Sequence, residues 1–483
     1  MKRTTRLSIG LVAFAVCVCS LPKASLAASK DWKLGMQAYS FKEFTFFEAV
    51  DKNKALGMDY IECYPGQRLS KEKSGVKVDH NMSSADRKLM LRKLRKTGVK
   101  LMNYGVVGLP NNEAECRKVF DFAKEMGIET IVSEPPEDAF DLIEKLCKEY
   151  KISVAIHNHP KPSHYWDPDT VLRVCQGRSK WIGACADSGH WMRSGVDPVE
   201  AIKKLGKAKR IISLHFGDLN EFGVRSAHDV PWGTGVGKAR AALEELDRQN
   251  FKGVFSIEWE HNWLNSMPDI KKCVAFFRKT QAELSDLEYK DLFKKDLSNA
   301  IMKRGPWAFD ADGVLAPTPD AHGTIWTKED YGNFILELDY KIPEKGNSGV
   351  FVRSADPFGN WIHTTIEIQI HATTDGTKHG QNGAVYDCLS PSKDANKGPN
   401  KWNHYVITCL DNKIYVNLNG EDIIDMDMDF WTEAHKNPGP PVAAGTPNKF
   451  KIAYKDMARA GRIGFQYHGN PVWFKNLRIK SFD

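Results

Sequence analysis

The 483-residue sequence has no CxxC pair, no internal repeat and no basic stretch of the kind that binds nucleic acid. The first absence argues against a CxxC zinc site, and the second against a repeat architecture. The formal charge of +7 includes four basic and no acidic residues within positions 1–27, so without that segment it is 7 − 4 = +3. This small excess, without a basic patch, predicts that nucleic acid is not a partner.

Long apolar runs are also scarce, and the one at the N-terminus has the pattern of a targeting segment. "MKRTTR" precedes the apolar "LSIGLVAFAVCVCSL", and the small residues "SLA" end at position 27. We predict a signal peptide over residues 1–27, too short for a membrane span, and export to the periplasm or beyond. A lipoprotein alternative through Cys17 or Cys19 is disfavoured by the adjacent Val16 and Val18. The eight remaining cysteines lie mostly in apolar runs, which favours buried thiols over disulfides.

The length is too great for one hydrophobic core, so we expect two domains. Between residues 29 and 280, eight short apolar runs alternate with amphipathic segments. These runs are "LGMQAYS", "MDYIECY", "VKLMNYGV", "IETIVSEP", "ISVAIHNH", "WIGACADSG", "RIISLHFGD" and "GVFSIEWE". The pattern predicts a (β/α)8 TIM barrel, with a doubly wound sheet as the alternative. A charged, helical linker over 281–296 leads into 287–483, where period-two alternation and turn residues predict an all-β sandwich.

Polar side chains follow the predicted barrel strands, where the chemistry of this fold resides. The runs end in charged or imidazole residues: Glu62, Glu134, His157, His159, Asp187, His190, His215, Asp218, Glu258 and Glu260. Strand alternation places a small-residue face inside the barrel and puts four of these residues at the rim of consecutive strands. They are His157, Asp187, His215 and Glu258. Two imidazoles and two carboxylates suit a divalent cation such as Mn²⁺, Co²⁺, Zn²⁺ or Mg²⁺.

A cation at this rim could polarise a substrate carbonyl group and promote loss of the neighbouring proton. Glu134 and Glu258 are the predicted bases, and His190 is a further catalytic candidate. His159 is expected to contact substrate, whereas His164 is interpreted as a loop residue. Aromatic rings that could stack on a substrate, or equally pack in the core, are Trp166, Trp191, Trp232 and Trp259.

Four motifs in the first domain resemble the xylose isomerase-like TIM barrel superfamily, which includes sugar isomerases, epimerases and, more distantly, endonuclease IV. They are "CADSGH", "SLHFGDL", "AHDVPWGTG" and "FSIEWEH". The resemblance implies one to three divalent metals at the strand ends. Many members carry Glu where this chain has His157, so Glu134 is either a replacement ligand or the base. An endonuclease-like zinc site through His228 and Asp229 is disfavoured by the charge, and "PWGTG" is expected to close over a sugar.

The second domain contains "TTIEIQIHA", whose alternation puts Glu367 and Gln369 on a polar face suited to sugar hydroxyls or simply to solvent. Segments such as "GNSGVFVRS", "NGAVYD", "KWNHYVI" and "GRIGFQYHG" resemble the 3-keto-disaccharide hydrolase domain, also described as 3-keto-glucoside 1,2-lyase/3-keto-2-hydroxy-glucal hydratase, with a concanavalin A-like fold. The resemblance implies a catalytic Glu367, and Asp375 is a further acidic candidate. Implied sugar contacts are Asn347, Arg353, Gln369, Asp387 and Trp402.

Together these patterns predict an exported carbohydrate-active enzyme that enolises keto-sugars or 3-keto-glycosides, with glycosidic cleavage. The first alternative is a sugar isomerase or epimerase barrel that carries a non-catalytic carbohydrate-binding sandwich. A further alternative treats both domains as binders. The oligomeric state is not indicated by the sequence.

Overall fold

A computed structural model describes residues 32–483 except 304, 322, 360, 373–377, 439–447 and 449. The predicted signal peptide and Asp375 lie outside the described residues. The chain folds into a parallel barrel followed by an antiparallel sandwich. Within the part of the chain that is described, no helix combines the length and apolar character needed to cross a membrane.

Eight parallel strands pair in sequence order, and the last pairs with the first to close the barrel. They are β1 (Lys33–Gln37), β2 (Tyr60–Cys63), β3 (Lys100–Tyr104), β4 (Thr130–Ser133), β5 (Ser153–His157), β6 (Ile182–Asp187), β7 (Ile211–Phe216) and β8 (Val254–Ile257). Each predicted run contains one strand. The closed barrel is confirmed and the doubly wound alternative is wrong.

Nine helices surround the described strands of the barrel. They are α1 (Phe46–Ala55), α2 (Ser84–Thr97), α3 (Glu113–Met126), α4 (Phe140–Tyr150), α5 (Pro168–Cys175), α6 (Ser188–Arg193), α7 (Pro198–Lys207), α8 (Ala239–Arg248) and α9 (Met267–Glu283). Their first turns carry strong local signals. Thr45 forms a capping box with Glu48 at α1, and Asp197 caps α7 just before a proline.

Strand alternation divides the barrel residues between two cores, as the sequence pattern predicts. Val154 and Ile156 of β5 belong to the large cluster shared with the surrounding helices. Ala155 lies on the other side of β5, in a small cluster with Val132 and Cys185 inside the barrel. The residues that end the inward-facing rows therefore meet at the carboxyl end of the barrel.

The second domain consists of two antiparallel sheets around one core. The small sheet contains β10 (Ala300–Met302), β13 (Ile325–Thr327), β15 (Asn347–Ser354), β16 (Ile366–His371) and β20 (Arg462–Phe465). The large sheet contains β9 (Lys290–Asp291), β11 (Trp307–Phe309), β12 (Leu315–Pro317), β14 (Phe334–Lys341), β17 (Asn403–Leu410), β18 (Lys413–Leu418), β19 (Glu421–Asp427) and β21 (Trp473–Ser481). A short helix, α10 (Trp361–Thr364), precedes β16. The predicted sandwich is confirmed.

The connection between the domains differs from the predicted helical linker. Helix α9 ends at Glu283, and the chain then turns towards β9. Leu287 and Tyr289 pack against a small apolar cluster formed by Ala282 with residues of the sandwich: Ile335, Leu410 and Phe482. Burial of these apolar side chains favours an extended segment over continued helix.

Pairs of oppositely charged side chains surround this apolar contact. Three basic residues of α9 face aspartates of the sandwich: Lys271 lies 3.0 Å from Asp427, Arg278 2.9 Å from Asp411, and Lys279 3.1 Å from Asp422. Most of these side chains keep considerable solvent exposure, so each pair adds about 1 kcal/mol or less. The pairs orient the domains, and the apolar cluster supplies most of the stability of the contact.

All eight cysteines of the described residues are buried, and no two of them are joined in a disulfide. This confirms the expectation of buried thiols. Each behaves as a small apolar side chain within a core.

We predict that Phe482→Ala weakens the contact between the domains. Phe482 is 2% exposed, and loss of its ring should lower the free energy of unfolding by about 3–5 kcal/mol. Limited proteolysis should then cut faster within residues 284–290. Phe430, which is 67% exposed, provides the control: Phe430→Ala should change stability by no more than about 0.5 kcal/mol. Equal effects of the two substitutions would contradict this account of the contact.

Candidate functional site

Four consecutive strands bring the four predicted ligands together at the carboxyl end of the barrel. One ligand atom from each of His157, Asp187, His215 and Glu258 lies within 4.8 Å of the others. His157 Nε2 is 3.5 Å from Asp187 Oδ2, and His215 Nδ1 is 2.7 Å from Glu258 Oε2. Ligand atoms about 2.1 Å from one cation lie roughly 3–4 Å apart, so the spacing suits a single ion.

The hydrogen bonding of these atoms also fits a cation. His157 Nε2, His215 Nδ1 and Glu258 Oε2 are buried and form no hydrogen bond, although the last two are close together. Buried polar atoms are normally paired, because an unpaired one costs about 1–3 kcal/mol. Two imidazole nitrogens and two carboxylates would satisfy a borderline divalent metal. The donor set therefore fits the ion that the sequence predicts.

The electrostatics of the pocket are dominated by its carboxylates. Burial lowers the pKa of His157, but the neighbouring carboxylates of Asp187 and Glu134 outweigh burial and raise it to about 10. Burial likewise lowers the pKa of His215, yet Cys185, Glu62 and Glu258 hold it well above its usual value. A pocket that attracts protons so strongly also favours a dication, which would replace those protons.

Glu134 lies behind His157 rather than among the four ligands. Its Oε1 is 3.1 Å from His157 Nδ1 and accepts a hydrogen bond from the His159 backbone, while Ser163 donates to Oε2. Burial raises the pKa of Glu134, but the hydrogen bonds from His157 and His159 outweigh it and hold the pKa well below its usual range. Glu134 therefore contacts the edge of the His157 ring opposite the nitrogen that faces Asp187. Glu134, His157 and His159 also form a second group of close ligand atoms.

His190 lies beside the four ligands and is held as a neutral imidazole. Its backbone N–H donates to Asp187 Oδ1 at the start of α6, and its Nε2 is 3.9 Å from Asp187 Oδ2. Arg193 Nη1 lies 2.8 Å from His190 Nδ1. Since a guanidinium only donates, Nδ1 accepts and the ring proton resides on Nε2. Burial, which outweighs the nearby charge of Asp187, lowers the pKa of His190 to about 3.

An acidic pocket next to the ligands contains Glu260, Asp229 and Arg193. The sequence considered Asp229 only for a disfavoured zinc site and gave no role to Arg193. Arg193 donates to Glu260 Oε2 at 2.5 Å and lies 3.5 Å from Asp229 Oδ2. Burial raises the pKa of Asp229 to about 8, and burial with the charge of Glu258 raises that of Glu260. Glu260 was visible as a strand-end residue. Arg193 and Asp229 lie in helix and loop segments, where strand periodicity carries no signal.

The "PWGTG" loop is anchored by a buried carboxylate. The backbone N–H groups of Gly233, Gly235 and Gly237 all donate to the buried Asp218 carboxylate, at 2.7–3.1 Å. Trp232 at its start is 3% exposed and packs against Phe216. That this loop closes over a sugar stays a prediction.

The predicted tryptophans differ in whether their rings are accessible to a substrate. Trp232 does not fit the substrate contact predicted for it, because its ring is in the core; Trp191 and Trp259 are likewise 1% exposed. Trp166 remains partly exposed, with Lys161 Nζ 3.7 Å above its ring. His159 is half exposed near the ligands, whereas His164 pairs with Glu137 in the loop outside them.

In the sandwich, three of the predicted sugar contacts lie on one face of the small sheet or beside it. Asn347 and Gln369 lie on neighbouring strands, and Gln369 Nε2 donates to Asn347 Oδ1 at 3.1 Å. Gly349 lies directly opposite Gln369, and a Cβ atom on it would be 2.4 Å from Glu367 Oε1. That glycine makes room for the Glu367 carboxylate, which is 6% exposed. Asp387 follows Tyr386, whose backbone N–H donates to the backbone carbonyl oxygen of Glu367 at 2.9 Å.

Arg353 and Trp402 do not join this face, contrary to the prediction. Arg353 is 1% exposed with a positive φ of 53°, and its guanidinium donates to the backbone carbonyls of Gly332 and Asp411. It stabilises a chain crossing inside the domain. Trp402 precedes β17 of the large sheet, where Lys341 and Lys475 lie over its ring.

The fold and the site define a class: a TIM barrel with a rim of potential metal ligands, joined to a β-sandwich with a polar face. Comparison with protein families agrees with this description for both domains. Residues 50–280 match the xylose isomerase-like TIM barrel, and residues 288–480 match the 3-keto-alpha-glucoside-1,2-lyase-like domain. The chain is thus a xylose isomerase-like TIM barrel fused to a 3-keto-disaccharide hydrolase-like domain, as the sequence motifs predicted.

Individual relatives are similar over parts of the chain. A curated 3-keto-disaccharide hydrolase of Bacteroides thetaiotaomicron is 26% identical, over 32% of this chain and 60% of that protein. A putative glycosyl hydrolase of Parabacteroides distasonis, known from a crystal structure, is 35% identical, covering 40% of this chain and 99% of that one, with a TM-score of 0.37. An uncharacterised protein of the same organism is 33% identical, covering 52% and 99%, with a TM-score of 0.43. The chain spans only 60% of the curated relative's length.

We predict that His157 is a metal ligand and that Glu134 orients it. Elemental analysis of purified protein should find that His157→Ala loses its divalent metal. Glu134→Gln should retain metal but bind it roughly 10- to 100-fold more weakly. His164→Ala, in the same loop, is the control and should match the wild type. Complete loss of metal from Glu134→Gln, with retention in His157→Ala, would make Glu134 the ligand instead.

We also predict that Arg353 stabilises the sandwich. Arg353→Gln should lower the free energy of unfolding by at least about 3 kcal/mol, because the backbone carbonyl groups of Gly332 and Asp411 lose their charged donor. Asn347→Ala on the same strand removes one hydrogen bond to Gln369 and should cost less than about 1.5 kcal/mol. Denaturant titration of the full chain measures both. A stable Arg353→Gln variant that no longer binds sugar would restore the substrate-binding role.

Proposed function

We propose that this chain is an exported carbohydrate-active enzyme that enolises keto-sugars or 3-keto-glycosides and cleaves the glycosidic bond by elimination. The observation that carries the proposal is the convergence of four ligand atoms, three of them buried and unbonded, at the barrel rim. The family of the second domain supplies the substrate class. The curated relative's name, 3-keto-disaccharide hydrolase, is consistent with it.

The chemistry of the substrate class suits the residues present. A 3-keto group acidifies the hydrogen on C2, and removal of that proton allows the aglycone to leave from C1. A divalent cation at the rim would polarise the carbonyl oxygen and lower the energy of the enolate charge. The protein must then provide a base for the C–H group and a donor for the leaving oxygen.

Two side chains at the rim have the required properties. Glu258 keeps 14% of its side chain exposed and is our proposed base. Glu134 is less suitable, because both its oxygens accept hydrogen bonds and its pKa is depressed. His190 presents Nε2–H beside the ligands, held in that tautomer by Arg193, and is our proposed donor to a substrate oxygen.

The alternative in which the sandwich only binds carbohydrate has an observation in its favour. No group of three close metal-ligating side chains was found among the described residues of the sandwich. Its polar face instead combines an amide pair, Gln369 and Asn347, with the Glu367 carboxylate. Such groups can hydrogen-bond sugar hydroxyls. In that case the barrel alone would perform the chemistry, as an isomerase, an epimerase or a lyase.

We predict that the full chain releases the aglycone from a 3-keto-glucoside and that a chelator abolishes this activity. Glu258→Gln should lower kcat/KM by about 10²–10⁴-fold. The control is Glu125→Gln, a surface residue of α3 that pairs with Arg87, which should behave like the wild type.

Two outcomes separate the alternatives. If Glu367→Gln raises KM and leaves kcat unchanged, the sandwich is a binding module; if it removes turnover while Glu258→Gln does not, the sandwich performs the cleavage. No turnover of any 3-keto-glucoside, with Mn²⁺, Co²⁺, Zn²⁺ or Mg²⁺ present, would refute the proposal.

A further inference from the structure

One carboxylate lies inside the barrel, below the four ligands, and has no role in the chemistry described above. Glu62 of β2 is 1% exposed. Its Oε1 is 2.9 Å from Nε2 of His215, on the far side of that ring from the ligand atoms. We infer that Glu62 is a positioning residue, which fixes His215 as a metal ligand through Nδ1. This inference rests on the proposed metal function of the rim.

The hydrogen bonds around Glu62 are complete. Oε1 also accepts from Gln37 Nε2 at 3.0 Å, and Oε2 accepts from Asn103 Nδ2 at 3.1 Å and Ser256 Oγ at 2.9 Å. The four donors come from β7, β1, β3 and β8. A carboxylate with donors on four strands cannot rotate without leaving several buried groups unpaired. Its orientation is therefore set before any ligand arrives.

This arrangement determines which nitrogen of His215 carries the proton. An ionised carboxylate only accepts, so Nε2 must donate to Glu62 and Nδ1 keeps its lone pair when a metal binds. Nδ1 is the atom that faces Glu258 and Asp187, and it forms no hydrogen bond. Metal-bound histidines commonly donate their second N–H to a carboxylate, which orients the ring and strengthens the ligand.

On the opposite side of the site, a carboxylate contacts His157 in the same way, but the two ring nitrogens have exchanged roles. Glu134 contacts Nδ1 of His157, leaving Nε2 unbonded towards Asp187. His215 therefore directs Nδ1, and His157 directs Nε2, towards the same position. The other nitrogen of each ring contacts a carboxylate. A carboxylate needed only for packing would not have to contact the ring edge opposite the ligand atom. An apolar residue would fill the interior at lower cost.

Titration of the full-length wild type and of Glu62→Gln with Co²⁺, against a competing chelator, tests the inference. The glutamine keeps the shape but brings an N–H₂ group, which favours the other His215 tautomer and a proton on Nδ1. We expect the dissociation constant for Co²⁺ to rise roughly 10- to 100-fold, with a changed absorption spectrum of the bound Co²⁺. Ser256→Ala removes a donor to Oε2 but leaves the contact with His215 intact. It should bind Co²⁺ within about threefold of the wild type.

The outcomes distinguish the inference from the proposed function. A wild type that binds no Co²⁺ refutes the proposed metal site itself. If the wild type binds Co²⁺ and Glu62→Gln matches it in affinity and spectrum, only the role of Glu62 is refuted, even if the variant is less stable.

A measurement on the wild type covers the case in which Glu62→Gln does not fold. In the Zn²⁺-loaded protein labelled with ¹⁵N-histidine, one metal-bound histidine should carry its proton on Nε2 and another on Nδ1. Two metal-bound histidines that both carry it on Nδ1 would overturn the inference.

Discussion

The attraction between buried carboxylates and imidazoles at the barrel rim is the interaction on which the site depends. Isolated charges in a protein interior are strongly unfavourable, so each must be paired or neutralised. The chain meets this requirement by alternating acid and base: Glu134 with His157, Asp187 between the imidazoles, and Glu258 with His215. A divalent ion would complete the same balance of charge.

Barrel closure makes that balance possible. Adjacent strands supply neighbours such as Asp187 and His215, which are partners in the β6–β7 ladder. Closure adds contacts across the interior, such as the one between Glu62 of β2 and His215 of β7, which are 153 residues apart. An open sheet would place those two strands far from each other. The closed fold thus provides both the ligands and the groups that orient them.

Residue periodicity predicted the barrel, the sandwich and the rim residues, and its failures have physical reasons. Alternation along a strand reports the inward face, so the convergence of the four rim residues could be predicted from local sequence. It cannot report how a side chain is rotated or what lies across the barrel. The contacts of Glu62 and the position of Glu134 behind His157 were therefore not accessible. The sugar contact of Arg353 was inferred from the family resemblance alone, which cannot report that this residue has a positive φ within β15 and a buried side chain.

The eight buried thiols of the described residues form no disulfide, and this has a consequence for folding outside the cytoplasm. Under the proposed export, the newly translocated polypeptide meets an oxidising environment while all of its thiols are accessible. No pair of them is joined in the native fold, so any disulfide formed at that stage would be non-native. Rapid burial of the thiols then protects the protein from non-native disulfides. The oxidation state of its cysteines therefore shows whether folding came before oxidation.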